Sequence, residues 1–208
     1  MDLDTLELLS LLITLGLVLH WLNSQDRRER TALLASQLRP FQIERLMQQL
    51  TEAYMQALGE PDAERQDQVL RAQHEAENQL VEQFQAVARA FAQLPAPKAR
   101  TLKLAVPGID KVLPQATFDT RRMLQVHAEG MARVARNDSG RTPRERAYTL
   151  MAEMFLMQHS CHWFCRSKTI ASARMLAQHH THYEQALQAV SPETREAYLA
   201  LVQGPALG

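Results

Sequence analysis

The sequence predicts an all-α protein with a single N-terminal transmembrane helix followed by a cytoplasmic α-helical bundle. The first observation behind this prediction is an apolar run at residues 8–22 that contains no Asp, Glu, Lys or Arg. The second is that helix-ending residues are sparse, with 7 glycines and 9 prolines among 208 residues. The third is that apolar residues recur at helical spacing between those breaks, as expected for helices that each bury one face.

The apolar run at 8–22 is the expected membrane anchor. It covers about 22 Å at a rise of roughly 1.5 Å per residue, whereas a hydrocarbon core of roughly 30 Å takes about 20 residues, so the span must also include residues 3–7. A buried core helix or a helix lying in the membrane interface would also fit so short a run. Leu, Ile and Val occur around the whole circumference, however, and an interfacial helix would keep a polar face.

Charged residues on either side of the run set its expected orientation. Arg27, Arg28 and Arg30 follow the run and no basic residue precedes it, so the positive-inside tendency places the N-terminus outside and the rest of the chain in the cytoplasm. Trp21 lies just before the arginines, where interfacial aromatic residues occur. Acidic residues before the run and bulky residues at its end are unlike a cleavable signal peptide. We therefore expect a single-pass protein of the bacterial inner membrane.

The same pattern divides the chain into three segments. These are a transmembrane anchor at 1–25, a helical extension of that anchor at 26–39, and a cytoplasmic helical bundle at 40–208 with a connector near 94–116. The extension contains no glycine or proline, so we expect the anchor helix to continue through it. Pro40 marks the first break, because the residue before a proline avoids helical geometry.

In the first half of the bundle, an amphipathic helix is expected from Pro40 to Leu58. The segment 62–94 is rich in Gln, Glu and Ala. Only its C-terminal half carries a core stripe, so its acidic N-terminal half is expected to be a solvated projection or a partner-facing coil. Residues 101–106 have strand-like composition, but no second strand candidate is evident, and an unpaired strand leaves its backbone unsatisfied. We therefore expect a short helix or an extended loop there.

In the second half, a helix capped by threonine is expected from residues 117–120 to about Arg136. Thr142, Pro143 and Glu145 combine a capping box with proline at the first helical position. No Gly or Pro follows until residue 192, which is long for one helix, so a break near 167–169 should give two helices. A last helix is expected to begin at 191–193.

Five histidines and both cysteines lie within 24 residues. Cys161 and Cys165 share a face of one expected helix, with His162 beside them, and thiolate and imidazole are ligands of zinc. Structural zinc sites, however, usually present Cys-x2-Cys on turns. The alternative is that Cys161 is a small core residue. It falls on a 4-3-4-3 apolar stripe formed by Leu150, Met154, Met157, Cys161 and Phe164. His159, His162 and Arg166 fall on another face that is expected to be solvated, and no cofactor is expected.

Two hexapeptides share the pattern Arg-x4-His on expected helices, at Arg174–His179 and Arg122–His127. The pattern resembles the Arg-x4-His signature of the HEPN superfamily, whose members are all-helical and often act as metal-independent ribonucleases. The resemblance implies that arginine stabilises the scissile phosphate while histidine exchanges a proton with the 2′-hydroxyl or the leaving oxygen. This assignment suits the chemistry, since histidine titrates near neutrality and arginine holds phosphate bidentately. By the same resemblance, Arg174 and His179 are the first choice and Arg122 and His127 the second. Some HEPN proteins are membrane-anchored accessory effectors of RNA-targeting CRISPR systems.

The middle of the chain, residues 98–146, is basic, with 11 Lys and Arg against 5 Asp and Glu. Its charge could meet anionic lipid headgroups, nucleic acid, or the acidic segment 52–82 of the same or another copy. Few aromatic residues are available to stack on bases, which is unfavourable for single-stranded nucleic acid. Internal pairing with the acidic segment is the simplest interpretation.

These observations together lead to an expected function. We expect a membrane-anchored interaction or assembly protein whose partners are membrane lipid and either further copies of itself or a protein of a membrane complex. The alternative is a membrane-tethered, HEPN-like effector or ribonuclease of a defence or CRISPR system, and only this alternative requires nucleic acid as a partner. No glycine-rich phosphate loop, His-Glu-x2-His or nucleophile-elbow motif occurs.

Overall fold

The computed structural model describes residues 3–103 and 113–204, and helices account for most of them. The expected all-α class is confirmed. The helices are α1 (Leu3–Leu38), α2 (Ile43–Leu58), α3 (Ala63–Arg71), α4 (His74–Ala92), α5 (Thr120–Arg136), α6 (Pro143–Cys165), α7 (Lys168–His179), α8 (Tyr183–Ala189) and α9 (Pro192–Gln203). Two short 3-10 helices cover Ala96–Ala99 and Pro114–Ala116.

Two three-residue strands replace the loop or short helix expected at 101–106. β1 (Arg100–Leu102) pairs with β2 (Thr117–Asp119) in antiparallel orientation, with Thr101 opposite Phe118. The expectation was wrong for residues 101 and 102, because the partner strand lies in the residues that we assigned to the start of a helix. Residues 104–106 lie outside the described part of the chain.

The helix boundaries follow local capping chemistry. Thr142 and Glu145 form the expected capping box, and Ser167 caps α7 at the expected break. Asp119, rather than a threonine, caps α5. The expectation of two helices between 142 and 192 was wrong, because His180 adopts the left-handed region (φ 51°) and ends α7, so α8 is a separate helix. The helix expected from Pro40 begins at Ile43 instead.

Helix α6 is the centre of the bundle and packs against α1, α2, α3, α5, α7 and α8. Its C-terminal end lies beside α1, where Phe164 packs edge-on against Phe91 of α4 with ring centroids 5.5 Å apart. One core cluster joins α1, α2, α4, α5 and α6, and a smaller cluster lies between α5, α6, α8 and α9. Because neighbours surround α6, side chains on most of its circumference are buried.

The acidic segment supplies a buried ion pair. Glu77 and Arg146 are 1% and 6% exposed, and Arg146 Nη1 lies 2.6 Å from Glu77 Oε2. The Tyr54 hydroxyl donates to Glu77 Oε1 at 2.5 Å. Internal pairing between the basic middle and the acidic segment is therefore confirmed for this pair. A solvated projection was the wrong interpretation, because Leu70 and Glu77 are both buried in the body.

Candidate functional site

Helix α1 passes through two environments without a break. Between residues 7 and 22 every side chain is exposed, with Leu11 and Leu17 each at 65%. Leu34, in the part of α1 that follows, is only 7% exposed. Within residues 3–103 and 113–204, α1 is the one helix long and apolar enough to cross a membrane by length and composition, and none of its apolar window is buried in the body.

The second half of α1 is fixed to the body. Leu34 belongs to the main core, and Leu33 and Leu38 pack against it. Arg30 Nη1 donates to the carbonyl oxygen of Arg100 at 2.6 Å, and its guanidinium lies 5.5 Å from the centroid of the Phe164 ring. The expected continuation of the apolar helix into the body is therefore confirmed as a helix, and the body holds its direction.

A small notch lies where α1 meets the body. It is lined by Asn23, Asp26 and Arg30 of α1 together with Leu102, Lys103, Trp163, Arg166 and Ser167. The indole N–H of Trp163 donates to the carbonyl of Leu102 at 2.9 Å, so this wall is fixed. We use the name basic collar for the three basic residues that line this notch together with the two other arginines of the same stretch of α1. The basic collar comprises Arg27, Arg28, Arg30, Lys103 and Arg166.

The cysteines lie in the core. Cys161 and Cys165 are unpaired thiols, each 8% exposed, and all members of the apolar stripe that contains Cys161 are buried. Burial, with a further contribution from Cys165, raises the pKa of Cys161 to about 12, so its thiol is protonated at neutral pH. No group of three or more His, Cys, Asp or Glu side chains in the described residues could hold a metal ion.

The face of α6 that carries His159 is buried, which corrects the expectation that it is solvated. His159 is 1% exposed, lies 3.0 Å from Ser172 Oγ through Nε2, and packs against the ring of Tyr183 at 4.7 Å. Burial, followed by Lys168 and His162, lowers its pKa to about 3. The expectation failed because α7 and α8 cover this face of α6. Arg166, at the end of that face, is exposed as expected.

Arg122 and His127 do not share a surface. Arg122 is exposed, whereas His127 is 0% exposed and lies 2.8 Å from Ser160 Oγ through Nε2. Burial, with a contribution from His159, lowers the pKa of His127 to about 3. This histidine is therefore neutral at pH 7 and pairs with a serine inside the body.

Arg174 and His179 each lie close enough to His162, between α6 and α7, to affect its charge. Burial, followed by the charges of Arg174 and His179, lowers the pKa of His162 to about 4. His179 Nε2 lies 2.7 Å from Gln158 Oε1, and its ring stacks on Phe155 at 3.9 Å. Arg174 is exposed and His179 is half-buried, so the group borders solvent.

The burial of one carboxylate in α6 was not predicted from the sequence. Glu153 is 0% exposed, and its Oε1 accepts from the backbone N–H and the hydroxyl of Ser191 at 3.0 and 2.6 Å. Gly130 leaves room for it, because a Cβ there would collide with Thr194 Oγ1 and lie 2.7 Å from Glu153 Oε2. Burial raises the pKa of Glu153 against the opposing effect of these hydrogen bonds. The available signal was a lone carboxylate between Ala152 and Met154 in an apolar stretch of helix.

Comparison with known proteins gives no relative: no family model, no curated protein and no solved structure matches the chain.

Proposed function

We propose that this protein is a single-pass protein of the bacterial inner membrane whose cytoplasmic helical body acts by interaction, as an oligomer or as an accessory subunit of a membrane complex. The observation that carries the proposal is α1. Its apolar half is exposed on all sides and its other half is packed into the core. Apolar surface of this extent exposed around a whole helix is costly in water, whereas a bilayer solvates it.

Polar residues within the apolar half support an assembly role. Glu7, Ser10 and Thr14 lie along one side of α1 at i, i+3 and i+7, and the two hydroxyls donate to the carbonyls of Glu7 and Ser10, each at 2.8 Å. Small polar residues on one side of a membrane helix let another helix approach closely and share hydrogen bonds. A second copy or a partner helix is the occupant we propose for this side.

The membrane location is tested by fractionation of cells that express the full chain. The wild type should sediment with membranes and resist carbonate extraction. Replacing Leu12, Leu15 and Leu19 by Asp should move the chain into the soluble fraction, because each charge near the bilayer centre costs about 2.5–3.5 kcal/mol on insertion scales. An Asp variant that still resists carbonate extraction would rule out the span.

A matched control uses apolar residues exposed on the body. Met55, Tyr148 and Ile170 are 60%, 54% and 43% exposed, and replacing all three by Asp adds the same charge without altering α1. This control should stay in the membrane fraction. Orientation is read separately, since a fluorescent protein fused to the C-terminus should fold and fluoresce, and a periplasmic phosphatase fused there should be inactive.

The second candidate function is RNA cleavage by a membrane-tethered, HEPN-like site. The observation that favours it is that Arg174 and His179 both lie near His162, between α6 and α7, and that Arg174 is exposed. An exposed guanidinium can hold a phosphate, and burial lowers the pKa of His179, which leaves its imidazole neutral and able to accept a proton at pH 7.

This candidate is tested with the purified full chain in detergent, single-stranded RNA and a metal chelator. Cleavage should fall at least a hundredfold when either Arg174 or His179 is replaced by Ala, the usual contribution of a positioned acid or base. Arg122→Ala and His180→Ala are the controls, as both side chains are exposed and lie outside the group. Equal cleavage by all four variants would end the nuclease proposal.

A further inference from the structure

The end of the body from which α1 emerges carries the basic collar, and its members come from distant parts of the chain. Lys103 follows β1, Arg166 follows α6, and Arg30 lies in α1, yet all three line the same notch. The fold therefore gathers these cations at one place, and chain proximity does not account for it.

Measured along the axis of α1, the notch lies at the level of the headgroup layer of a membrane that α1 would cross. Asn23, the first notch residue of α1, directly follows the apolar run. Arg30, the last, lies about 10 Å further along the helix axis at roughly 1.5 Å per residue. The polar layer on each side of a hydrocarbon core is about 5–7 Å deep. The notch thus occupies the level of the phosphates and the first water beyond them.

The cations at this level are available for a ligand. Asp26 pairs with Arg30 at 2.8 Å, but no carboxylate of the described residues forms a salt bridge with Lys103, Arg166 or Arg28. Around α3, the end of α5 and the start of α6, by contrast, four arginines pair with carboxylates. These pairs are Arg146 with Glu77, Arg136 with Asp138, Arg71 with Asp67 and Arg65 with Glu60.

We propose that the basic collar binds the headgroups of anionic phospholipids in the leaflet next to the body. This inference rests on the proposed membrane span of α1. Lysine and arginine bind phosphate oxygens through charge-assisted hydrogen bonds, and an anionic leaflet attracts basic residues that lie within a Debye length of about 8–10 Å. Contacts at the collar would add to the fixed direction of α1, so that the body is seated on the membrane in one orientation.

The experiment is a lipid titration of the full chain in a non-ionic detergent, with bound lipids counted by mass spectrometry of the intact protein. The two probes are phosphatidylglycerol, which is anionic, and phosphatidylcholine, which is zwitterionic. The wild type should bind phosphatidylglycerol several-fold more tightly. The double variant Lys103→Glu with Arg166→Glu should reduce that preference by on the order of tenfold, because it removes two cation–headgroup contacts, and added salt should have the same effect.

The matched control is Arg45→Glu with Arg144→Glu, which changes the net charge equally. Both side chains are exposed and lie in the first turn of α2 or α6, where glutamate is tolerated. This control should keep the lipid preference, and unchanged helix content by circular dichroism would show that both variants fold. Equal binding of the two lipids by the wild type, or an equal loss in both double variants, would overturn the proposal.

Two further outcomes distinguish lipid binding by the collar from a failure of the proposed span and from nucleic-acid binding. If the full chain were soluble without detergent and did not co-purify with membranes, the proposed span would fail, whatever the lipid titration showed. If a duplex oligonucleotide competed with phosphatidylglycerol at equal charge concentration and bound more tightly, the collar would be a nucleic-acid surface and the lipid assignment would be wrong.

Discussion

The two halves of α1 belong to one unbroken helix but differ in what surrounds them. Residues 7–22 are exposed on every side, whereas the half that contains Arg30 and Leu34 packs against α4 and α6. The backbone does not distinguish them, since both are regular helix. The side chains do, because residues 26–30 are all charged and precede apolar residues that pack on the core, whereas no Asp, Glu, Lys or Arg occurs between 8 and 22.

Under the proposed membrane span, the two halves would associate with other helices through different kinds of surface. In the body half, the face that contacts other helices is apolar, and Leu33, Leu34 and Leu38 pack in or against the main core. In the other half, apolar side chains face every direction, and Glu7, Ser10 and Thr14 form a polar stripe along one side. In lipid an apolar face gains little from association, so small polar residues carry the specificity.

The largest difference between the halves should appear on truncating one leucine in each. Leu34→Ala should lower the free energy of unfolding of the body by about 2–4 kcal/mol, because it removes a side chain that is 7% exposed within the main core. Leu12→Ala, at a position 56% exposed, should change it by less than about 0.5 kcal/mol. Urea unfolding of the full chain in nanodiscs, followed by circular dichroism, measures both. Equal effects would mean that the apolar half also packs on the body.

Acid should unfold the body and leave the apolar half of α1 in the membrane. The pKa of His127 and of His159 is lowered from 6.5 to about 3 in the folded protein, so the unfolded chain binds more protons between these values. Stability is therefore complete above pH 6.5 and falls as the pH drops towards 3, by about 1.4 kcal/mol per pH unit for each histidine. Glu153, whose pKa is raised, acts in the opposite direction.

The measurement is the urea midpoint of the body between pH 7 and 5, with membrane association followed in parallel. His127→Gln should flatten the pH dependence, because an amide can still pair with Ser160 but does not titrate. His20→Gln lies in the apolar half, does not touch the body and should leave the slope unchanged. A slope that survives the removal of both His127 and His159 would contradict the assignment.

A smaller effect on the free energy of unfolding should follow from removing the contacts that Arg30 makes with the body. Arg30→Met keeps the apolar stem but loses the hydrogen bond to the Arg100 carbonyl, the contact with the Phe164 ring and the pair with Asp26. We expect a loss of about 1–2 kcal/mol in unfolding free energy, without loss of membrane association. Arg28→Met, at an exposed position without such contacts, is the control.

Features that depend on neighbouring residues could be read from the sequence. The capping box at Thr142 and Glu145, the break at Ser167 and the unbroken α1 all rest on contacts within a few residues, and each is present. Features that depend on distant residues were missed. The Glu77–Arg146 pair joins positions 69 apart, and β1 pairs with a strand that lies at 117–119, directly before α5.

For the candidate site residues, too, the sequence predicts local placement on a helix but not contacts with distant residues. A spacing of Arg-x4-His places the two residues on one helix but says nothing about the neighbours of that helix. His127 points into the core and pairs with Ser160, whereas Arg174 and His179 remain near the surface. Similarly, helical periodicity could not show that His159 is covered, because α6 is surrounded by other helices on most sides. Packing between helices, which the spacing does not encode, decides which pair lies near the surface.

The smallest predicted effect concerns the polar side of the apolar half. Ser10→Leu with Thr14→Leu should weaken self-association in the membrane by about 1 kcal/mol or less, since interhelical contacts of this kind are individually worth about 0.6 kcal/mol. Leu9→Ile with Leu12→Ile alters the opposite side of the helix and should have no effect. Chemical crosslinking in cell membranes, or fluorescence energy transfer between labelled copies in vesicles, measures the change in self-association. If the leucine variants associated more strongly than the wild type, association would be driven by apolar surface in this half as well, and the two halves of α1 would not differ in the way proposed.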